Sequence, residues 1–357
     1  MQLPDRYRTD LAAPSIVGGY GSVIPVHDTY LDRAVLFKTM HDPANNLQLT
    51  NEIRGLSKAR SRHVVEIYDI VCDANGQVCG VVIEKLNGRD YRHFHLEALS
   101  DPQMYLRLIY QIATALRDLH EVGIVHRDIK LENIRESGSG ILKLFDFGIS
   151  CAGTGYHTRE NRGSIVYAAP ELYQPGVKIN YSMDIYALGI CCWALAANQF
   201  PQVLLERPPQ QSGCAPSIDS IFKGAFPGEI VKLIDDCLSR SPQNRPSAQD
   251  ISSKLERYLL RNLHRGIFVQ GRTSIYELSS SSPQVSIAIP QMGEIKVFYD
   301  GLYFLIGFVT GNVFVNNVVA QPGATLPESC VLTFGAMTAG SSREWVTFQS
   351  SYPELVL

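Results

Sequence analysis

The sequence of 357 residues predicts an α+β chain in three consecutive stretches, because its apolar periodicity changes twice. Short apolar runs broken by Gly, Asn and Asp fill about residues 15–86. Apolar positions then recur at helical spacing from about Pro102 to Arg265, and strand-like alternation returns after Gly266. The chain is too long for one ordinary core, so two or three units of domain size are expected.

In the first stretch AVLF and VCGVVIE read as strands. NLQLTNEIRGLSKA reads as a single helix, with Leu47, Leu49, Ile53 and Leu56 at roughly helical spacing. In the second, MYLRLIYQIATALRDLH places Leu106, Ile109, Ile112, Ala113, Leu116 and Leu119 on one face, and IVKLIDDCLSR and AQDISSKLERYLLRNL repeat that type of pattern. IYALGICCWALAANQF, Ile185 to Phe200, is apolar on all sides. It falls short of the ~20 residues that a bilayer requires and is expected to be a buried helix. In the third stretch SIYEL, QVSIAIP, EIKVFYDGLYFLIGFV, NVFVNNVV, SCVLTFG and EWVTF read as strands and turns, and SSSSP as a turn closely flanked by strands.

Composition excludes several classes. At 45% hydrophobic and 19% charged the chain is that of a globular protein, and a net charge of -3 without any long Lys/Arg run argues against nucleic acid as a partner. The start MQLPDRYRTD has no secretory pattern, and no membrane partner is expected. The eight cysteines form no CxxC pair and have no nearby His at metal-ligand spacing, which fits a reducing cytoplasm.

Five motifs in the first two stretches bear on chemistry. SIVGGYGSV, Ser15 to Val23, is a Gly-rich hairpin, and glycines there let backbone N–H groups approach phosphate oxygens that bulkier residues would obstruct. AVLFK ends a strand pattern on Lys38. HRDIKLEN, His126 to Asn133, gathers an acid, two bases and an amide beside apolar flanks. KLFDFGIS follows a strand pattern, and GSIVYAAPEL contains Ala169, Pro170 and Glu171.

In this order the motifs resemble the eukaryotic-type, or Hanks-type, Ser/Thr protein kinase family across about residues 15–262. The resemblance implies a bilobal protein kinase fold: a β-rich N-lobe over 10–86, an α-rich C-lobe over 87–264, then a small all-β sandwich domain over 265–357. It also implies ATP and Mg2+ as cofactors and protein Ser/Thr hydroxyls as acceptors. By resemblance Gly18, Gly19, Gly21 and Val23 cover the nucleotide, and Lys38 contacts the α- and β-phosphates, held by Glu52. Ile83 becomes the gatekeeper, with the Glu84 carbonyl and Leu86 N–H bonding the adenine edge. Asp128 orients or accepts the proton of the attacking hydroxyl, Lys130 balances charge on the moving phosphoryl group, and Asn133 and Asp146 bind magnesium through hard oxygen donors.

Further residues follow from the same resemblance. Glu171 pairs with Arg245, Asp184 opens a central buried helix, and Ser164 helps to position substrate. Arg127, beside Asp128, is the type of residue that receives an activation-loop phosphate; of Ser150, Thr154, Thr158 and Ser164, the two threonines are the expected phosphosites. The sequence departs from the family in three places. Ile16 stands where the first glycine is expected, Leu36 replaces a smaller residue two before Lys38, and only fourteen positions separate Lys38 from Glu52 (52 − 38).

The expected function is therefore phosphoryl transfer from ATP to protein Ser or Thr, with autophosphorylation in the activation loop. The alternative is a pseudokinase scaffold, which Ile16 and Leu36 favour, or a phosphopeptide-binding adaptor. A small-molecule kinase fits less well, because Lys130 and the Ala-Pro-Glu platform are both present. The tail from Gly293 to Gly335 is similar to the second half of forkhead-associated (FHA) domains: a strand, Asp-Gly, a strand, an Asn-rich turn, then a late strand ending in Phe-Gly. The arginine and Ser/His pair by which that family holds phosphothreonine have no counterpart near QVSIAIPQMGEI, and Arg272 falls early in the pattern. Packing or self-association is the expected use of this domain.

Overall fold

The structure, a computed structural model, describes residues 3–9, 16–17, 21–41, 46–146, 151–152, 165–271 and 274–351; of residues 16, 17, 21, 46–48, 51, 52, 56, 151, 152 and 165 it describes the backbone alone. The chain divides between Leu255 and Glu256 into two compact units.

The first unit opens with β1 (Tyr7–Thr9), β2 (Ile16–Val17), β3 (Gly21–Asp28) and β4 (Arg33–Met40), then α1 (Asn46–Lys58), β5 (Ile67–Cys72) and β6 (Val78–Glu84). These strands form one sheet ordered β1-β3-β4-β6-β5, with β2 also on β3. All its pairs are antiparallel. Period-two alternation explains it: Val35 and Phe37 of β4 are buried, whereas Leu36 and Lys38, each one position further on, face the other way. Leu49 and Ile53 bury one side of α1, as its spacing predicts.

The helical part starts with α2 (Pro102–Glu121). Asp101 caps it by accepting the Met104 N–H at 2.9 Å, and Pro102 sits at the first turn, where no N–H donor is needed. All six apolar positions predicted for its inner face are buried. Short strands follow, of which the sequence reading anticipates only the strand pattern before Asp146: β7 (Ile124–Val125), β8 (Ile134–Glu136), β9 (Leu142–Leu144) and β10 (Cys151–Ala152), pairing β7 with β10 and β8 with β9. Two- and three-residue strands carry too little periodicity to stand out from loops. Then come α3 (Ser182–Ala196), α4 (Gln202–Leu205), α5 (Asp219–Phe222), α6 (Gly228–Cys237) and α7 (Ala248–Leu259).

Helix α3 is the buried helix expected, with 13 of its 15 residues buried. It begins three residues before Ile185 and stops at Ala196 instead of Phe200, where Ala197 turns extended at φ -145°. Helix α7 likewise ends at Leu259 although its apolar pattern runs on, because Asn262 adopts a left-handed φ of 66°. No helix among the described residues is long and apolar enough to cross a membrane.

Arg245 and Glu171 form the most enclosed ion pair described. Arg245 donates from Nη1 and Nη2 to the two Glu171 oxygens at 2.7 and 2.8 Å, and from Nε to the Ser239 carbonyl at 2.8 Å. Its side chain is 0% exposed. The planar fork satisfies both carboxylate oxygens at once, which a lysine would not.

The second unit contains β11 (Gly266–Gln270), β12 (Ser274–Leu278), β13 (Gln284–Ile289), β14 (Gly293–Tyr299), β15 (Phe304–Gly311), β16 (Val313–Val315), β17 (Val318–Val319), β18 (Ser329–Phe334) and β19 (Glu344–Ser350). They make a sheet ordered β12-β11-β19-β18-β16-β17 and a second, β13-β14-β15. Phe268, Leu332, Val346 and Phe348 from the first and Ile287, Ile295, Val297 and Ile306 from the second fill one core. This is the all-β region that alternation predicts, with β11 the strand that the sequence reading leaves out. Asn316 and Asn317, both at positive φ, make the two-residue turn between β16 and β17, which matches the twist of paired strands.

Replacing Arg245 with Met strands the Glu171 carboxylate in the interior. The expected loss of stability is about 3 kcal/mol or more, read from urea denaturation of the variant against wild type.

Candidate functional site

One buried carboxylate organises the loop after β7. Asp184, in the first turn of α3, accepts the backbone N–H of His126 through Oδ2 and that of Arg127 through Oδ1, both at 2.8 Å. His120 Nε2 lies 2.9 Å from Oδ2. Burial alone would raise the Asp184 pKa, yet His120, His126 and the Arg127 N–H outweigh it and hold the carboxyl below its ordinary value. His126 is 0% exposed, and burial pushes its pKa down against the pull of Asp184, Asp128 and Asp146.

Arg127 takes a left-handed φ of 71°, uncommon for such a residue, which turns the chain and presents Asp128. Lys130 Nζ donates to Asp128 Oδ2 at 2.6 Å, and Asn133 Nδ2 donates to the same oxygen at 2.9 Å and to the Asp128 carbonyl at 2.8 Å. Ile129 and Leu131, buried between these polar residues, anchor the loop to the core. In the octet the apolar Ile129 and Leu131 are buried, while Lys130 and Asn133 converge on the Asp128 carboxylate.

The β8-β9 pair carries the next piece. The Phe145 N–H donates to the Asn133 carbonyl at 3.0 Å, so Asp146 follows directly beside the loop. Asp146 adopts a φ of 63° and accepts from Lys38 Nζ at 3.0 Å. Its side chain is 49% exposed, so it is open to a ligand even though neighbouring atoms crowd it on other sides. Desolvation would raise its pKa, and Lys38, then His126 and Lys130, bring it below the ordinary value. Lys38 reaches it from β4, where it stands in register with Val23 on one side and Val81 on the other.

The sequence-predicted residues thus form two linked groups, Asp128 with Lys130 and Asn133, and Lys38 with Asp146. Asp184 and Glu171 with Arg245 brace them. Ile83 and Leu86 are buried at the end of β6, with Leu36 in register with Ile83, and the Glu84 N–H donates to the Glu66 carbonyl at 2.9 Å. Gly21 and Val23 lie on β3. Gly18, Gly19, Ser150, Thr154, Thr158, Ser164 and Arg272 lie outside the described residues, as does the Glu52 side chain, whose backbone belongs to α1. His120 and His126 were not assigned from sequence. A histidine beside an apolar run gives no sign of the carboxylate it will meet 64 positions away (184 − 120).

Asp146 and Asn133 fit a hard divalent cation. Asp146 is held ionised, and Asn133 spends its amide nitrogen on Asp128, which leaves the carbonyl oxygen as its donor to a metal. Among the described residues no group of three His, Cys, Asp or Glu gathers as a metal site. Two oxygen donors suit magnesium, which keeps several waters and is completed by phosphates.

The chain belongs to the protein kinase domain family, whose model matches residues 17–255. It is 30% identical over 254 residues to a probable serine/threonine-protein kinase of Clostridium acetobutylicum, covering 67% of this chain and 38% of that protein. It is 32% identical over 193 residues to serine/threonine-protein kinase PrkC of Bacillus subtilis, covering 52% of this chain and 29% of that one. Fission yeast ppk11 is 28% identical over 248 residues, which cover 66% of this chain and 77% of ppk11. The chain thus spans about a third of the length of the first two relatives.

His63 is also buried, with Nδ1 3.0 Å from the Leu142 carbonyl, and burial lowers its pKa too. The unfolded chain therefore binds more protons than the native one below the ordinary histidine value of 6.5, and stability is full above that value and lost as pH falls through it. The depressed Asp146 and Asp184 add a further loss as pH falls below the ordinary aspartate value of 3.8. The urea midpoint should drop between about pH 7.5 and about pH 5.5, and drop less in His126→Phe.

Proposed function

We propose that the chain is a Ser/Thr protein kinase that transfers the ATP γ-phosphoryl group to protein hydroxyls and phosphorylates its own activation loop. The observation that carries this reading is the convergence of Lys130 and Asn133 on Asp128 Oδ2, at 2.6 and 2.9 Å, in a chain of the protein kinase family. In the transfer the acceptor oxygen attacks the γ-phosphorus, the bond from that phosphorus to the β,γ-bridging oxygen breaks, ADP leaves, and the hydroxyl proton passes to Asp128. A carboxylate has about four lone-pair sites, so Asp128 can hold Lys130, Asn133 and the hydroxyl together. Lys130 then stands where charge develops on the phosphoryl oxygens, and Lys38 exchanges Asp146 for the α- and β-phosphates as Glu52 takes up its charge. Magnesium held by Asp146 and Asn133 would neutralise phosphate charge.

On this reading the β-rich and helical parts are two lobes, 10–86 and 87–264. The loop of Gly18, Gly19, Gly21 and Val23 lies over the nucleotide, with Glu84 and Leu86 on adenine. Ser164 positions substrate, and Thr154 or Thr158 is the regulatory site. Ile16 and Leu36 touch nucleotide affinity more than the chemical step, so they weigh only lightly for a pseudokinase.

For the C-terminal β domain, 265–357, we propose an FHA-like sandwich used in self-association. The FHA likeness rests on the Asp300-Gly301 turn with Gly301 at φ 99°, the Asn316-Asn317 turn, and β18 ending at Phe334-Gly335 with Gly335 at φ 105°. Self-association is favoured by an apolar outer face. Ile275, Val269, Thr347 and Val331 stand in register across four strands, and Trp345 beside them is 61% exposed.

Asp128→Asn should lower autophosphorylation from labelled ATP by about 100-fold or more while leaving the urea midpoint near wild type; full activity in that variant would overturn the kinase reading. Phosphopeptide mapping of active protein should find phosphate on Thr154 or Thr158, and active protein without it refutes that assignment. Light scattering should report a mass that rises with concentration and returns to the monomer in Trp345→Lys. Micromolar binding of a phosphothreonine peptide would replace self-association with phosphopeptide capture.

A further inference from the structure

One buried lysine of the first unit has no part in the scheme above. Lys143, in the middle of β9, is 5% exposed over the whole residue. Its Nζ donates to Glu84 Oε2 at 2.7 Å and approaches Glu66 Oε1 at 3.4 Å. The Glu66 N–H reaches back to Glu84 Oε2 at 3.3 Å, and the Glu84 N–H to the Glu66 carbonyl at 2.9 Å. The Glu84 carboxylate is 16% exposed and Glu66 is 59% exposed, so the bond to Glu84 dominates and Glu66 contributes little through screened charge.

The position of this ammonium is what matters. Three residues beyond Lys143 lies Asp146, at the phosphate end of the proposed nucleotide site, and Glu84 lies at the adenine end. Backbone bonds tie β9 to the segment just before β5, where the Leu144 N–H donates to the His63 carbonyl at 2.8 Å and the Val65 N–H to the Leu144 carbonyl at 2.9 Å, and that segment meets the end of β6 through the Glu66 carbonyl. Glu84 ends β6, past its last register pairs with β5, which are Ile83 with Ile67 and Val82 with Asp69. Its side-chain bond to Lys143 therefore adds a direct tie between the end of β6 and β9.

We propose that Lys143 is a positioning residue that sets the span between the adenine-binding end of β6 and the Asp146 end of β9. This rests on the kinase reading of the site. A ligand that grips both ends gains from the fixed span, since its second contact is then made at no added ordering cost. A ligand that grips one end does not depend on it. Loss of Lys143 also leaves Glu84 and Glu66 without the cation between them, and their repulsion acts on the same segment.

The test measures binding of three probes to the full chain by calorimetry: Mg·ATP, adenosine, and Mg·tripolyphosphate. In Lys143→Met the Kd for Mg·ATP should rise on the order of tenfold. Adenosine and Mg·tripolyphosphate should bind as in wild type. In steady state the KM for ATP should rise more than kcat falls, and Lys143→Met combined with Glu84→Gln should recover part of the ATP affinity because the stranded charge is gone. Equal weakening of all three probes would assign Lys143 a general structural role, and unchanged Mg·ATP affinity in a folded variant would likewise overturn the proposal. Wild-type protein that binds no Mg·ATP would instead sink the kinase reading itself, which separates the two failures. Should Lys143→Met not fold, Lys143→Arg carries the same comparison: it keeps the cation, alters its reach, and should shift Mg·ATP alone.

Discussion

The geometry of the loop from His126 to Asn133 depends on a single buried anion. Asp184 accepts two consecutive backbone N–H groups, those of His126 and Arg127, and in doing so fixes the peptide planes that precede Asp128. Burying a carboxylate costs several kcal/mol unless hydrogen bonds and opposite charge compensate it, and here two amides and His120 do so. The carboxylate sits on α3, a helix enclosed on nearly every side, so the reference point for the loop is as rigid as the core. A loop anchored on solvent-exposed side chains would lack that precision. The left-handed backbone at Arg127 is sustained by the same contacts, since a strained residue persists only where its surroundings over-determine it.

Around that anchor charges are arranged in pairs rather than singly. Lys38 with Asp146, Lys130 with Asp128, Arg245 with Glu171 and Lys143 with Glu84 each join elements or residues that must keep fixed separations. They differ in what surrounds them. Arg245 is wholly enclosed, whereas Asp146 is half exposed. Burial thus separates chemically similar ion pairs into enclosed braces and pairs open to solvent.

Much of this was legible in sequence because the motifs are local. HRDIKLEN and KLFDFGIS each hold their polar residues within eight positions, and the helical and alternating patterns located α1, α2, α3 and most of the terminal β region. What escaped was either short or distant. The strands β7, β8 and β10 are too brief to show a period, and β11 follows a helix whose apolar pattern runs past its real end. His120, His63 and Lys143 find partners 64, 79 and 59 positions away, and no spacing rule announces a contact between residues that far apart. Family resemblance supplied Asp184, Glu171 and Arg245, which local pattern alone would have left as surface charge.

The cysteines of α3 and α6 have a consequence of a different kind. Cys191, Cys192 and Cys237 are at most 1% exposed, and burial raises their thiol pKa, which takes Cys237 to about 12. Only the thiolate reacts readily with alkylating agents and oxidants, so these sulfurs are inert while the fold is closed. Cys72 and Cys214, by contrast, lie at the surface. Among the described cysteines, mild oxidation would mark those two first and leave the interior untouched. Labelling of the three inner thiols would then proceed only through opening of the first unit, making the native sulfur atoms an intrinsic clock for its unfolding.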